Sequence, residues 1–183
     1  EEEINRIFEQ TYGANKRKGS KKTKKRIEKR VISHGSAMRP KKSDEQYLLV
    51  DGYNIVFAWQ ELSELAKDNI DAARGRLMDI MCNYQGYKKC TLILVFDVYR
   101  VKGNVGQMIP YHNIHVVYTK EAETADQYIE KLAHKMGRDY HVTVATSDGL
   151  EQLIIRGQGC RLISAREFYE EVKQVEEEIR KQI

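Results

Sequence analysis

The sequence predicts an α/β domain in which helices cover both faces of a mostly parallel sheet. Two features indicate this fold: short apolar runs recur after residue 45, and segments with helical spacing of apolar residues separate them. Strands that alternate with helices are typical of a parallel sheet. The 183 residues are 41% hydrophobic and 32% charged, a composition that supports a buried core and argues against wholesale disorder.

Five apolar runs are predicted to be strands, and the continuous hydrophobicity of the second indicates burial on both faces. In chain order, the predicted strands are residues 47–51, 91–97, 115–119, 141–146 and 160–164. Right-handed connections between parallel strands place their carboxyl ends along one edge of the sheet. Ligands of such proteins bind at that edge.

Four further segments are predicted to be helices. They are residues 69–84, 125–136, 149–156 and 165–181. In the first of them, apolar residues recur at helical spacing, at Ile70, Ala73, Leu77, Ile80 and Met81. The last is charged and amphipathic, so one of its faces is expected to pack on the sheet.

Positive charge is concentrated near the start of the chain. Residues 1–42 hold 14 lysines and arginines against 5 acidic residues, a net charge of +9, whereas residues 43–183 have a net charge of −5. The run over residues 16–42 has few apolar residues and is interrupted by glycine and proline. We therefore predict a flexible basic arm over residues 1–44 and a folded domain over residues 45–183.

The basic arm is predicted to bind the phosphates of a nucleic acid. Its candidate RNA-binding residues are Lys21, Lys22, Lys24, Lys25 and Arg26. The alternative is a solvated linker whose only role is to keep the domain soluble. A membrane surface fits less well, because the run lacks interleaved tryptophan, phenylalanine or leucine.

Other classes of protein are disfavoured. No run approaches the roughly 20 apolar residues needed to span a bilayer, and the opening segment EEEINR has no signal-peptide pattern. Cys82, Cys90 and Cys160 are an odd set without a CxxC motif, which argues against a disulfide framework and a structural zinc site. We therefore expect a protein of the reducing cytoplasm with no membrane partner.

Acidic residues follow the ends of four predicted strands. In chain order, they are Asp51, Asp97, Asp126 and Asp148. Carboxylates gathered at one edge repel one another unless a cation lies between them, and Mg²⁺ or Mn²⁺ prefers such oxygen ligands. The pattern predicts a divalent-metal site that hydrolyses a phosphodiester.

Each acid also has a purely structural interpretation. Asp126 lies in the capping-box segment 124–127, where the helix dipole favours an acid in the first turn. Asp148 likewise fits a helix cap. Asp51 and Asp97 could be ordinary strand ends, the former before a glycine turn. A helix cap and a metal ligand remain compatible roles for one carboxylate.

Polar and basic neighbours extend the predicted site. Asn54, Thr146 and Ser147 are expected to orient a metal-bound water or the scissile phosphate. Arg100 and Lys102, in a glycine-containing segment directly after the second strand, are expected to hold RNA phosphates. An ordinary surface loop is the alternative for that segment.

Two aromatic residues near the first strand are further candidates. Tyr53 and Trp59 could stack on nucleobases, and burial in the core is the alternative for both. His112 and His115 are expected to be structural, because an isolated pair beside a strand is weak support for a metal site.

Five segments resemble, in order, motifs of the YacP-like NYN domains, a group of PIN-like nucleases. They are LLVDGYNI (48–55), DAARGRL (71–77), VFDVYRVKGN (95–104), VVYTKEAETADQYIE (116–130) and VATSDGLEQ (144–152). The similarity covers residues 46–171. It implies a three-layer α/β/α, Rossmann-like (PIN-like) fold, a site that depends on Mg²⁺ or Mn²⁺, and endoribonuclease activity.

Carried onto this sequence, the resemblance implies a catalytic set of Asp51, Asn54, Asp97, Asp126, Ser147 and Asp148. Known members of the group include one that cleaves mRNA in association with the ribosome, so RNA and the ribosome are expected partners. The opening segment EEEINRIFEQTYGANKRK looks like a connector behind a translation GTPase. Two alternatives stay open: a non-catalytic RNA- or ribosome-binding module, and a metal-dependent phosphatase acting on small nucleotides.

Overall fold

A computed structural model describes residues 4–7, 41, 43–97 and 105–183 of the chain. The chain divides into two units, residues 1–40 and 41–183. In the first unit, residues 4–7 are helical. The second unit contains the sheet and the helices that pack on it. The expected boundary between arm and domain after residue 44 stays a prediction.

Six strands and six helices are found among the described residues of the second unit. In chain order, they are β1 (Gln46–Asp51), α1 (Gly52–Ala58), α2 (Gln60–Asp68), α3 (Ile70–Lys88), β2 (Thr91–Phe96), β3 (Gln107–Tyr111), β4 (Ile114–Tyr118), α4 (Ala125–Met136), β5 (His141–Ala145), α5 (Gly149–Arg156), β6 (Arg161–Ile163) and α6 (Ala165–Lys181).

The strands form one sheet in the order β3-β4-β2-β1-β5-β6. All neighbouring pairs are parallel except β3 and β4. The central strand is β1, in which Val50 is aligned with Leu94 on one side and with Ala145 on the other. The prediction of a mostly parallel sheet is therefore confirmed.

Side chains alternate across the sheet and are buried on both faces. Leu48 and Val50 of β1 join a core cluster with Leu77 of α3 and Phe168 of α6, to which α1 and α2 also contribute. Leu49 points to the opposite face and has no exposed surface. The helices α4 and α5 cover that face. The result is the predicted three-layer α/β/α arrangement.

The starts of two helices, α4 and α6, follow from local sequence. Thr124 caps α4 and Ser164 caps α6, and each forms a capping box with the residue three positions later, Gln127 or Glu167. A capping box satisfies two backbone N–H groups that the helix itself leaves unpaired. The bounds of α4, α5 and α6 agree with the predicted ones, and the capping boxes explain where α4 and α6 begin.

The sequence did not predict α1, α2 or β3. The helix α1 has only seven residues, which is too short for a periodic pattern. Two of the five residues of β3 are Pro110 and the exposed Ile109, and proline is confined to strand edges. Pairing with β4 and a turn in which His112 has a φ of 49° define β3 instead.

Two further observations concern the whole described part of the chain. None of the helices that the structure describes is long and apolar enough to cross a membrane. Cys82, Cys90 and Cys160 are free thiols. Burial raises the pKa of each thiol, which keeps the cysteines protonated and poorly nucleophilic at neutral pH.

Candidate functional site

The four predicted acids lie at the carboxyl ends of neighbouring strands. Asp51 ends β1, Asp97 directly follows β2, Asp126 lies in the first turn of α4 after β4, and Asp148 lies between β5 and α5. The strands β4, β2, β1 and β5 are adjacent and parallel. The topology therefore places all four residues at one edge of the sheet, which we name the carboxyl edge.

Asp51 and Asp97 belong to the same face of the sheet. Asp51 is aligned with Val95, and Asp97 follows Val95 by two residues, so strand alternation gives both acids the same side. A rise of about 3.3 Å per residue and a strand spacing of about 4.8 Å place their Cα atoms about 8 Å apart. The helix α4, which carries Asp126, covers this face.

Asp51 is 95% buried and also begins a helix. Its Oδ1 atom accepts a hydrogen bond from the backbone N–H of Asn54 at 3.4 Å, which makes it the N-cap of α1. A carboxylate in this position is favoured by the unpaired N–H groups and the dipole of the helix. The local fold therefore holds Asp51 at the carboxyl edge whether or not a cation is bound.

Gly52 allows α1 to start directly against the sheet. A Cβ atom at this position would lie 2.3 Å from the ring of Phe96, the last residue of β2. Only a residue without a side chain permits this contact. The glycine of the segment VDGYN thus brings the beginning of α1 close to the residue that precedes Asp97.

Asn54 and Ser147 connect the loops of the carboxyl edge. The Oδ1 atom of Asn54 accepts a hydrogen bond from the backbone N–H of Ser147 at 2.9 Å. The Oγ atom of Ser147 accepts one from the backbone N–H of Ala165 at 2.8 Å. These two bonds fix the segment after β5 between the starts of α1 and α6. Both predicted residues therefore have a structural role here.

Thr146 and Asp148 form the turn that leads into α5. Thr146 is fully buried, and its Oγ1 atom accepts a hydrogen bond from the backbone N–H of Asp148 at 3.2 Å. The carbonyl of Thr146 accepts another from the side chain of Gln152 at 2.8 Å. Asp148 is half-buried and lies just before the helix, as the capping interpretation predicts.

Asp97 and Asp126 repel each other electrostatically. Burial raises the pKa of Asp97, a backbone hydrogen bond partly offsets this effect, and the negative charge of Asp126 raises the pKa further. None of the ion pairs formed between described residues includes either carboxylate. The surroundings of Asp97 therefore disfavour its charged form relative to its protonated form.

The donors at the carboxyl edge suit a hard divalent cation in their chemistry. They are carboxylate oxygens, and a cation would relieve the repulsion between Asp97 and Asp126. In the part of the chain that the structure describes, no group of three or more histidine, cysteine, aspartate or glutamate side chains is arranged to hold a metal ion. Binding would therefore have to draw the carboxylates closer together.

Several predicted RNA-binding residues lie outside the described residues. They are Arg100 and Lys102 after β2, and Lys21, Lys22, Lys24, Lys25 and Arg26 in the arm. Trp59 is buried, and its indole N–H donates to the carbonyl of Ala165 at 2.8 Å, so it has the core role rather than the stacking role.

Sequence reasoning missed two side chains near Tyr53. The guanidinium of Arg74 donates to the hydroxyl of Tyr53 at 3.0 Å. Phe57 is 61% exposed on the same helix as Tyr53. Tyr53 and Phe57 are four residues apart, a spacing that would have placed them on one face of α1 if that helix had been predicted.

Comparison with known proteins identifies the family. A family model described as the YacP-like NYN domain matches residues 48–183. The chain is 42% identical over 137 residues to the uncharacterized protein YacP of Bacillus subtilis strain 168, a match that covers 74% of this chain and 80% of that protein.

Solved structures agree with this match. A crystal structure of Rae1 (YacP) from Bacillus subtilis is 42% identical and has a TM-score of 0.64, with 74% of this chain and 78% of that chain covered. A mutant of the same protein is 40% identical with a TM-score of 0.65, and the match covers 74% of this chain and 80% of that chain. The fold is therefore PIN-like, and the family supports a nuclease-type, RNA-related function. The chain belongs to the family of YacP-like NYN domains.

Proposed function

We propose that this domain is an endoribonuclease that depends on Mg²⁺ or Mn²⁺ and hydrolyses phosphodiester bonds within RNA. The observation that carries the proposal is the topology that brings Asp51, Asp97, Asp126 and Asp148 to one edge of the sheet. Asp51 lies on the same face of the sheet as Asp97, and the edge is the usual ligand position of α/β folds. Membership of a family of PIN-like nucleases supports the same conclusion.

The carboxylates of Asp51, Asp97 and Asp126 would hold the cation, and Asp148 would contribute directly or through water. When bound, such a cation supplies a more acidic water and stabilises negative charge on phosphoryl oxygens. The protein's own part is to keep these acids at one edge through the cap of α1 and the start of α4. Gathering them costs stability without the cation, which is a property expected of a functional site.

Asn54 and Ser147 would position the scissile phosphate. The Oδ1 atom of Asn54 already accepts from Ser147, so its amide N–H₂ group would be the part that donates to a phosphate oxygen. The Oγ atom of Ser147 accepts from Ala165, and its hydroxyl proton would be donated to the substrate. Both donors are fixed by hydrogen bonds before RNA arrives, which lowers the cost of ordering them.

RNA bound to ribosomes in the cytoplasm is the substrate that we propose for this activity. The folded domain has a net negative charge, which disfavours RNA, whereas residues 1–42 have a net charge of +9. The basic residues of the arm, together with Arg100 and Lys102, would offset this repulsion by binding the RNA backbone. The resemblance to nucleases that cleave mRNA on the ribosome supports the choice of substrate.

A cleavage assay with end-labelled RNA, both free and bound to ribosomes, tests the proposal. The full chain is assayed with Mg²⁺, with Mn²⁺ and with EDTA, beside the variant Asp97→Asn. We expect internal cuts that require a divalent ion, and a rate at least about 100-fold lower in the variant, because it removes a proposed metal ligand. Cleavage in EDTA or full activity of Asp97→Asn would contradict the proposal.

The matched control is Asp68→Asn, which removes the same charge from an exposed residue at the end of α2. It should cleave RNA at the wild-type rate. Retention of RNA without cleavage under both ions would instead favour a binding module. Release of phosphate from small nucleotides alone would favour a phosphatase.

A further inference from the structure

The loop between β4 and α4 leads to Asp126 at the carboxyl edge. It spans residues 119–124, and Asp126 follows in the first turn of the helix. The negative charge of Asp126 acts on Asp97. Because like charges repel, other contacts have to oppose this repulsion to keep the two carboxylates near each other. The contacts that hold the loop therefore bear on the candidate site.

Thr119 connects this loop to the residue that precedes Asp97. Its backbone N–H donates to the carbonyl of Phe96 at 3.0 Å, and its hydroxyl donates to the carbonyl of Glu123 at 2.7 Å. Thr119 is fully buried, so water does not compete for these hydrogen bonds. The backbone of Glu123, three residues before Asp126, is thereby tied to the end of β2.

The side chain of Glu123 attaches the same loop to the body of α4. It is only 4% exposed, and its Oε1 atom forms an ion pair with the ammonium group of Lys131. Lys131 lies eight residues farther along the chain, in the second turn of the helix. Since the helix is held together by its own backbone hydrogen bonds, the pair fixes the loop against a rigid element.

The stability of the fold does not account for this ion pair. The Oε2 atom of Glu123 is also buried, and it accepts no hydrogen bond from any residue that the structure describes. An ion pair offsets the cost of burying a charge only when the remaining polar atoms are hydrogen-bonded as well. Ala122 adds a backbone cost, because its φ of 63° lies in the left-handed region. Costs that gather beside a candidate site indicate a functional constraint.

We propose that Glu123 and Lys131 are positioning residues, which hold Asp126 where it can bind the same divalent cation as Asp97. This inference rests on the proposed nuclease function, and it adds two residues that act through Asp126 rather than on the cation itself. Groups that orient the ligands of a metal ion contribute to its affinity without contacting it. Breaking the ion pair is therefore expected to weaken binding of the cation in a domain that remains folded.

Two single substitutions break the pair from opposite sides. Glu123→Gln keeps the shape of the side chain and removes its negative charge, whereas Lys131→Met keeps an unbranched chain and removes the positive charge. Lys131 is 46% exposed, so its variant should fold even if that of the buried Glu123 does not. Circular dichroism and the Tm in EDTA check both. The probe is Mn²⁺ alone, titrated into the full chain without RNA, with the free ion measured by electron paramagnetic resonance.

We expect both variants to bind Mn²⁺ at least about 10-fold more weakly than the wild type. The shared direction distinguishes positioning from a simple effect of charge. If the charges acted only through space, loss of the Glu123 carboxylate would weaken binding of a cation, whereas loss of the Lys131 ammonium would strengthen it. Lys131→Arg keeps the cation and should stay within about twofold of the wild type.

The matched controls break ion pairs on α6. Lys173→Met removes a 40% exposed lysine that is paired with Glu176, and Glu171→Gln removes a carboxylate that is paired with Lys88 of α3. Both should bind Mn²⁺ with the affinity of the wild type. The second control is expected to be less stable, so it shows whether a loss of stability is enough to weaken binding of the ion.

Unchanged Mn²⁺ affinity in both variants, or shifts in opposite directions, would overturn the inference even if the wild type cleaves RNA. If Glu123→Gln does not fold, Lys131→Met decides alone: weaker binding supports the inference, and unchanged or tighter binding overturns it. Equal weakening in the controls would also overturn it. A wild type that binds no Mn²⁺ would instead contradict the proposed nuclease, and the inference with it, because Asp126 would have no ion to bind.

Discussion

The pKa values of carboxylates are shifted in opposite directions at the two ends of the sheet. At the amino end, Glu171 of α6 accepts a hydrogen bond from the hydroxyl of Tyr84 at 2.7 Å and forms an ion pair with Lys88 at 2.9 Å. Although burial opposes it, these partners lower the pKa of Glu171. At the carboxyl edge, burial and the negative charge of Asp126 raise the pKa of Asp97.

This difference distinguishes a carboxylate that stabilises the fold from one that we propose to be functional. The partners of Glu171 come from α3 and attach α6 to it, so its charge contributes to the stability of the fold. The neighbour of Asp97 is another acid, and its negative charge disfavours the charged form of Asp97. A shifted pKa bears on function only when its direction and physical cause are known.

The largest expected effect is on catalysis. Asp126→Asn removes both a proposed metal ligand and the charge that raises the pKa of Asp97. We expect RNA cleavage to fall by about 100-fold or more, and the pKa of Asp97 to move toward its ordinary value of 3.8. Cleavage assays and an NMR titration of the aspartate carboxyl carbons measure the two results. Unchanged cleavage would remove Asp126 from the site.

A smaller effect concerns the amino end. Glu171→Gln should lower the free energy of unfolding by about 1–2 kcal/mol at pH 7, since hydrogen bonds to a charged group contribute more than neutral ones and partial exposure screens them. Because the pKa of Glu171 is lowered in the folded state, this stability is present above its ordinary value of 4.5 and is lost as the pH falls through the folded pKa.

Urea titrations of both proteins at pH 7 and pH 3 measure this change. The difference between Glu171→Gln and the wild type should shrink toward zero at the lower pH. The control is Glu170→Gln, at an adjacent exposed position whose carboxylate forms an ion pair with Arg166 across one helical turn. A difference that persists at pH 3 would mean that shape, rather than charge, explains the loss.

The smallest effect has the opposite sign. Asp97→Asn should raise the free energy of unfolding at pH 7, by no more than about 1 kcal/mol because the group is half-exposed and water screens its charge. Since the pKa of Asp97 is raised in the folded state, the cost of its charge is absent below 3.8 and develops as the pH rises through the folded pKa.

Thermal unfolding in EDTA and in Mg²⁺ distinguishes the two ends of the sheet. We expect Mg²⁺ to raise the Tm of the wild type and of Glu171→Gln, but to have little effect on Asp97→Asn. The stabilisation follows from binding to the native state alone. A wild-type Tm that is indifferent to divalent ions would show that the acidic edge does not bind them.

The sequence predicted the sheet and four of its helices because their signals are local. Continuous apolar runs identified β1, β2, β4, β5 and β6, the capping-box segment 124–127 indicated the start of α4, and an amphipathic pattern identified α6. The strand β3 depends on pairing with β4, and its own residues are largely exposed. No local pattern in a single sequence could indicate it.

Of the candidate site, the sequence could predict only that the acidic residues follow strands and meet at one edge of the sheet. Topology brings Asp51, Asp97, Asp126 and Asp148 to one edge, and that much follows from parallel strands. The electrostatic coupling of Asp97 to Asp126 depends on how α4 packs, and the anchoring of Ser147 by Asn54 and Ala165 depends on contacts between distant segments. Neither is encoded in spacing along the chain.

The central position of β1 has a consequence for how the domain is made. Its two neighbours are β2, which begins at Thr91, and β5, which begins only at His141. Until the ribosome has synthesised β5, one side of β1 has no partner for its backbone N–H and C=O groups, and such an open apolar edge recruits other chains. A nascent or truncated chain that ends before His141 is therefore an aggregation-prone intermediate rather than a smaller working domain.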